Sequence, residues 1–127
     1  KDHEGLGRKG ELIGLEVNMR PSGGISPDMM NFSQSTDVYK IWADMIAYDS
    51  SLRGIGQAAF CAFAGRRDGK NFVMSDEDIM HKYGANMKMS GRVADALSGA
   101  MGNQMYIANF NTKEEMDAFY NDVLACR

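Results

Sequence analysis

The sequence predicts an α+β fold, on three observations. Segment 11–19 alternates, with Ile13, Leu15, Val17 and Met19 on one face and Gly14, Glu16, Asn18 and Arg20 on the other, as successive side chains of a strand do. Segment 36–47 sets Val38, Ile41, Trp42 and Met45 at the spacing of a helical stripe. Thr112-Lys113-Glu114-Glu115 is a capping box and opens a helix over 112–124.

Taken in order, the polar residues 1–8, with Gly5 and Gly7, read as a loop leading into the strand over 11–19. One face of that strand is wholly apolar and calls for a core. Residues 21–27 carry two prolines and two glycines and read as a loop, followed by a short helix over 28–33. The helix over 36–47 takes Thr36 as its cap and Asp37 at the positive end of its dipole. The chain breaks at Asp49-Ser50-Ser51 and again at Gly54 and Gly56. A strand over 58–64, a turn over 66–70 and a returning strand over 71–74 follow. Ser75 caps a short acidic-headed helix that runs to about Tyr83. Segments 86–89 and 104–110 read as strands, while 93–97 fits either a strand or a short helix. The last helix buries Met116, Phe119, Tyr120, Val123 and Leu124.

With 127 residues, 44% hydrophobic and 24% charged, this is a globular chain of single-domain size. Fourteen Lys+Arg against 17 Asp+Glu leave a net charge of −3, without the basic excess of a nucleic-acid partner. No apolar run approaches the ~18–20 residues of a membrane span. Two cysteines, Cys61 and Cys126, make no disulfide scaffold; reduced thiols and a cytoplasmic location are expected. The chain opens on Lys1 and carries eleven methionines, an excess that selects no function, and the expectation is a piece of something longer.

The chemistry gathers at 16–24. Glu16 and Asn18 leave the same face of one strand, and a carboxylate with an amide oxygen is a hard donor pair of the kind Mg²⁺ takes. Arg20 is next on that face, with a donor fork suited to phosphate or carboxylate. Ser22, Gly23 and Gly24 then offer close backbone approach and amides that can cradle an anion. The plainer alternative is a solvated strand face on which Arg20 bridges Glu16 and the glycines only make a turn.

The run Gly14-Leu15-Glu16-Val17-Asn18-Met19-Arg20-Pro21-Ser22-Gly23-Gly24 resembles the metal-binding strand and following loop of ATP-grasp enzymes. Asp28-Met29-Met30-Asn31-Phe32 and Asp37-Val38-Tyr39-Lys40-Ile41-Trp42 are similar to the helical segment that follows in ATP-grasp carboxylate–amine ligases. The resemblance covers about 10–46. It implies that 1–49 is the C-terminal portion of an ATP-grasp catalytic domain. Residues 53–127 resemble, more loosely, the small C-terminal β/α module of some such ligases, with a turn over 98–103 before the strand and capped helix.

The implied activity uses ATP and Mg²⁺ (or Mn²⁺) to convert a small-molecule carboxylate to an acyl phosphate, which an amine or other nucleophile attacks. By the same resemblance Glu16 and Asn18 bind metal, Arg20 stabilises the transferring group, and Ser22, Gly23 and Gly24 lie beside the substrate. The family's phosphate-covering loop, adenine-binding lysines and linker strand lie upstream of the Glu-x-Asn strand. A further acidic ligand would fall near Asp2, His3 and Glu4, which do not read as a strand. The implication is a C-terminal piece, inactive by itself, whose partner is the missing N-terminal part of the same protein; self-association is a further expectation.

Other candidates have simpler readings. Arg66 and Arg67 read as solvated charges at a hairpin. His81 complements a helix C-terminus. Cys61 reads as a buried thiol, Cys126 has no activating partner, and Trp42 belongs to the helical stripe. The rival to the ligase is a non-catalytic module in which residues 53–127 mediate association, with exposed methionines as an adaptable contact surface.

Overall fold

A computed structural model describes residues 10, 12, 14, 20 and 22–127. Of the strand expected over 11–19 only positions 12 and 14 are described, so Glu16 and Asn18 lie outside the described residues.

Among the described residues eight elements follow one another: α1 (Ser26–Gln34), α2 (Val38–Tyr48), β1 (Phe60–Arg66), α3 (Asp76–Tyr83), β2 (Met87–Arg92), α4 (Asp95–Met101), β3 (Gln104–Phe110) and α5 (Lys113–Leu124). The α+β class is as expected. The strands make an antiparallel sheet in the order β1-β3-β2, with β3 in the middle. Phe60 pairs with Phe110 and Arg66 with Gln104 on one side; Ser90 pairs with Tyr106 and Arg92 with Gln104 on the other. The register of β2 shifts between Met87 and Met89.

Strand alternation decides what each face buries. Ala62, Ala64, Tyr106, Ala108 and Phe110 turn toward α3 and α5, where Ile79, Tyr83, Phe119 and Val123 complete the core. The Phe119 ring meets Tyr83 edge-on at 5.1 Å and Phe110 at 5.2 Å, the offset arrangements that aromatic quadrupoles favour. Both capping boxes form. Ser75 Oγ accepts from Asp78 N at 3.1 Å, Thr112 Oγ1 accepts from Glu115 N at 3.2 Å, and each carboxylate accepts in return from the cap's amide.

On the other sheet face Asn109 Nδ2 donates to Phe32 O at 2.7 Å, and Ser33 Oγ to Ala59 O at 2.9 Å, fastening α1. The end of α4 sits against Gly65, where a β-carbon would lie 2.0 Å from Met101 O. Only a glycine admits that backbone so closely.

Several local expectations are corrected. The loop over 21–27 is shorter, because α1 already begins at Ser26 and Pro27 occupies its first turn, where a missing amide costs nothing. Asp37, not Thr36, caps α2 by accepting from Lys40 N at 3.0 Å; the Thr36 hydroxyl donates instead to Gly54 O at 3.0 Å. β1 and β2 run two or three residues beyond the expected 58–64 and 86–89. Segment 71–74 is not a returning strand: it makes one isolated bridge, Phe72 to Cys126, because β3 takes the edge of β1. Segment 93–97 leads into α4, which continues to Met101 and absorbs most of the turn expected over 98–103. On α5, Phe119 and Val123 are buried, Met116 and Tyr120 half-buried, and Leu124 exposed.

Candidate functional site

The loop that the sequence singles out enters α1. Gly24 has φ +65°, a left-handed conformation that favours glycine, and a β-carbon at Gly23 or Gly24 would meet nothing within 4 Å. The backbone there is open to approach.

Arg20 and Ser22 line a largely apolar hollow of about 290 Å³ with Pro27, Ile41, Trp42 and Met45. The stripe of α2 is therefore not a sealed core. Val38, Ile41 and Trp42 are half-buried and Met45 is exposed, so Trp42 forms a wall of this hollow. Gly24 lies on a different hollow, about 300 Å³, with Asp28, Arg92, Val93, Leu97 and Met101. The expected cluster is thus divided: Arg20 and Ser22 share a cavity, and Gly24 faces the end of β2 and α4. The expected metal ligands Glu16 and Asn18 lie outside the described residues. Their donor chemistry, one carboxylate and one amide oxygen, fits a hard divalent cation that takes its remaining oxygens from phosphate or water. Among the described residues no group of three or more His, Cys, Asp or Glu side chains could hold a metal.

Arg66 overturns the solvated-hairpin expectation. It is only 5% exposed. Its Nε donates to Val123 O at 2.7 Å, and its Nη1 donates to Met74 O at 2.9 Å and Asp76 Oδ1 at 3.3 Å. The guanidinium lies over the Phe72 ring at 4.4 Å and near that of Tyr106 at 5.6 Å. The Tyr106 hydroxyl donates to the same Asp76 oxygen. Burial first, then that contact with the carboxylate, pushes the phenol well above its ordinary range and keeps it protonated. The signal was in the alternation: Arg66 is in phase with Ala62 and Ala64, so its stem points into the core. Arg67, out of phase, stays exposed and donates to Gly99 O at 2.7 Å at the end of α4.

His81 occupies the last turn of α3, as its dipole reading expects. Cys61 is half-buried, and burial pushes its thiol up. Cys126 is exposed. Among the described residues no helix is long and apolar enough to cross a membrane. Compared with known proteins, the chain matches no family model, no curated protein and no solved structure.

Proposed function

We propose that the chain is the C-terminal piece of an ATP-grasp ligase. The parent uses ATP and Mg²⁺ to activate a small-molecule carboxylate as an acyl phosphate, for attack by an amine or other nucleophile. The observation that carries this reading is the run Glu16-Val17-Asn18-Met19-Arg20-Pro21-Ser22-Gly23-Gly24, in which a hard donor pair, a guanidinium and a glycine loop follow one another within nine residues.

In this reading Glu16 and Asn18 hold the metal, whose charge offsets that of the phosphates. Arg20 orients and neutralises the transferring phosphoryl group. The Ser22–Gly24 amides stand beside the substrate carboxylate, and the lack of obstruction at Gly23 and Gly24 suits a ligand approaching the backbone. Phosphoryl transfer asks for positioning and charge neutralisation more than for a protein nucleophile, so the absence of a nucleophile–base pair from the proposed set is no obstacle.

The test is Mg²⁺-dependent nucleotide hydrolysis by the full-length protein. Glu16→Gln and Asn18→Ala should each lower it by about 100-fold or more, and Arg20→Ala should lower the rate at saturating nucleotide. Unchanged activity in the first two removes them from the site.

A second reading, a non-catalytic association module, draws on α2, whose apolar stripe has no buried residue. It predicts self-association that weakens with Trp42→Ala, and no nucleotide hydrolysis in any form of the protein.

A further inference from the structure

Between β1 and the 72–76 segment the chain turns through Asp68-Gly69, the only Asp-Gly in the sequence, which has no Asn-Gly. Residues 67–70 are exposed. Gly69 has φ +82°, and nothing lies within 4 Å of the place a β-carbon would take. Its amide donates to nothing among the described residues. The nitrogen that follows the Asp68 carboxyl is therefore unshielded and uncommitted.

The carboxyl itself is held. Arg92, the last residue of β2, engages both of its oxygens: Nη1 donates to Oδ1 at 2.8 Å and Nη2 to Oδ2 at 2.6 Å. That fork keeps the carboxyl below its usual range and therefore ionised. The Asp68 amide is tied separately, donating to Asn103 Oδ1 at 3.0 Å. The two tethers act on different atoms of Asp68, so each can be removed without the other.

We propose that Asp68-Gly69 is a site of spontaneous isoaspartate formation and that the Arg92 fork restrains it. The Gly69 nitrogen attacks Asp68 Cγ. The N–Cγ bond forms, a Cγ–O bond breaks, and the carboxyl hydroxyl leaves with the amide proton as water. A second water then opens the five-membered imide. Where it breaks the bond from Gly69 N to the Asp68 main-chain carbonyl carbon, the chain runs on through Cβ, one atom longer, and the main-chain carboxyl becomes the side group. A carboxylate gripped at both oxygens is a poor electrophile with no hydroxyl to lose, so the first step waits for Arg92 to let go. No co-reactant other than water is needed. The site shares no residue with 16–24 and does not rest on the ligase reading.

The experiment incubates the whole chain for weeks at body temperature and mildly acidic pH. Isoaspartate is followed by peptide mapping and by labelling with an isoaspartyl methyltransferase. Asp68 should be the first isoaspartyl position, and Gly69→Ala should suppress it by placing a β-carbon beside the attacking nitrogen. Arg92→Ala should accelerate it about two- to fivefold, the hold that an exposed bidentate pair can exert. Arg92→Lys keeps the charge without the fork and should fall between wild type and Arg92→Ala, which keeps the test open if the alanine variant folds poorly. Asn103→Ala frees the Asp68 amide, spares the fork, and should accelerate the reaction less than Arg92→Ala. Isoaspartate arising first at another position, equal rates in wild type and both Arg92 variants, or an acceleration by Asn103→Ala as large as that by Arg92→Ala overturns the proposal.

Discussion

The Arg66 guanidinium lies 4.4 Å from the centre of the Phe72 ring, which joins the end of β1 to a segment outside the sheet that pairs with Cys126 through an isolated bridge. That contact and the bonds to Val123 O and Met74 O tie β1, α5 and the 72–76 segment into one unit. Arg66→Ala strands two carbonyls and should cost about 2–5 kcal/mol, since each buried acceptor left unanswered costs about 1–3 kcal/mol, while the exposed Asp76 carboxylate stays solvated. Phe72→Ala should cost about 1 kcal/mol through lost stacking. Urea unfolding midpoints of the two variants measure both. A loss under about 1 kcal/mol for Arg66→Ala would show the clip to be structurally idle.

Gly65 and Gly69 offer a paired comparison. Alanine at Gly65 places a β-carbon on Met101 O and forces α4 from the sheet. Alanine at Gly69 meets nothing within 4 Å and suffers only its left-handed φ of +82°. Gly69→Ala should cost about 1–2 kcal/mol. Gly65→Ala should cost clearly more and perturb the amide signals of α4. Equal thermal shifts would contradict the close packing of α4 on β1.

The capping boxes should behave alike. Ser75→Ala and Thr112→Ala each remove the acceptor for one amide and should each cost about 1 kcal/mol. Ser98→Ala on exposed α4 serves as the comparison, since its hydroxyl only returns to Asp95 O. Thermal denaturation of the three variants is the measurement.

Asp122 predicts an acid-side effect. Lys82, 2.6 Å away, and the Tyr83 hydroxyl hold its carboxyl below the usual carboxylate range. A depressed folded-state value stabilises the fold above the ordinary value and is lost as pH falls through the depressed one. Wild type should therefore melt above Asp122→Asn at neutral pH, and the gap should close below about pH 4. A gap independent of pH would mean that charge plays no part.

The two thiols should separate kinetically. Cys126 is exposed, whereas Cys61 is half-buried on β1 with its thiol pushed up by burial. A thiol reagent at neutral pH should label Cys126 first and Cys61 severalfold more slowly, as peptide mapping over time would show.

Local chemistry in the sequence determined the α+β class, the full extent of β3, the Thr112 capping box, the Ser75 cap and the placement of His81, because caps and periodicity act within a few residues of one another. Position 66 was legible in the same way, through its phase with Ala62 and Ala64, although the pattern cannot say what a buried guanidinium will meet. Val123, Met74 and Asp76 reach Arg66 from three other parts of the chain, and their convergence belongs to the tertiary structure alone. So do the pairing of β1 with β3 in place of 71–74, the seating of α4 on Gly65, and the division of Ser22 from Gly24 between two hollows. Strand edges and helix faces accept more than one partner of equal local merit, and the choice is made by which arrangement buries the most apolar surface with every backbone group answered.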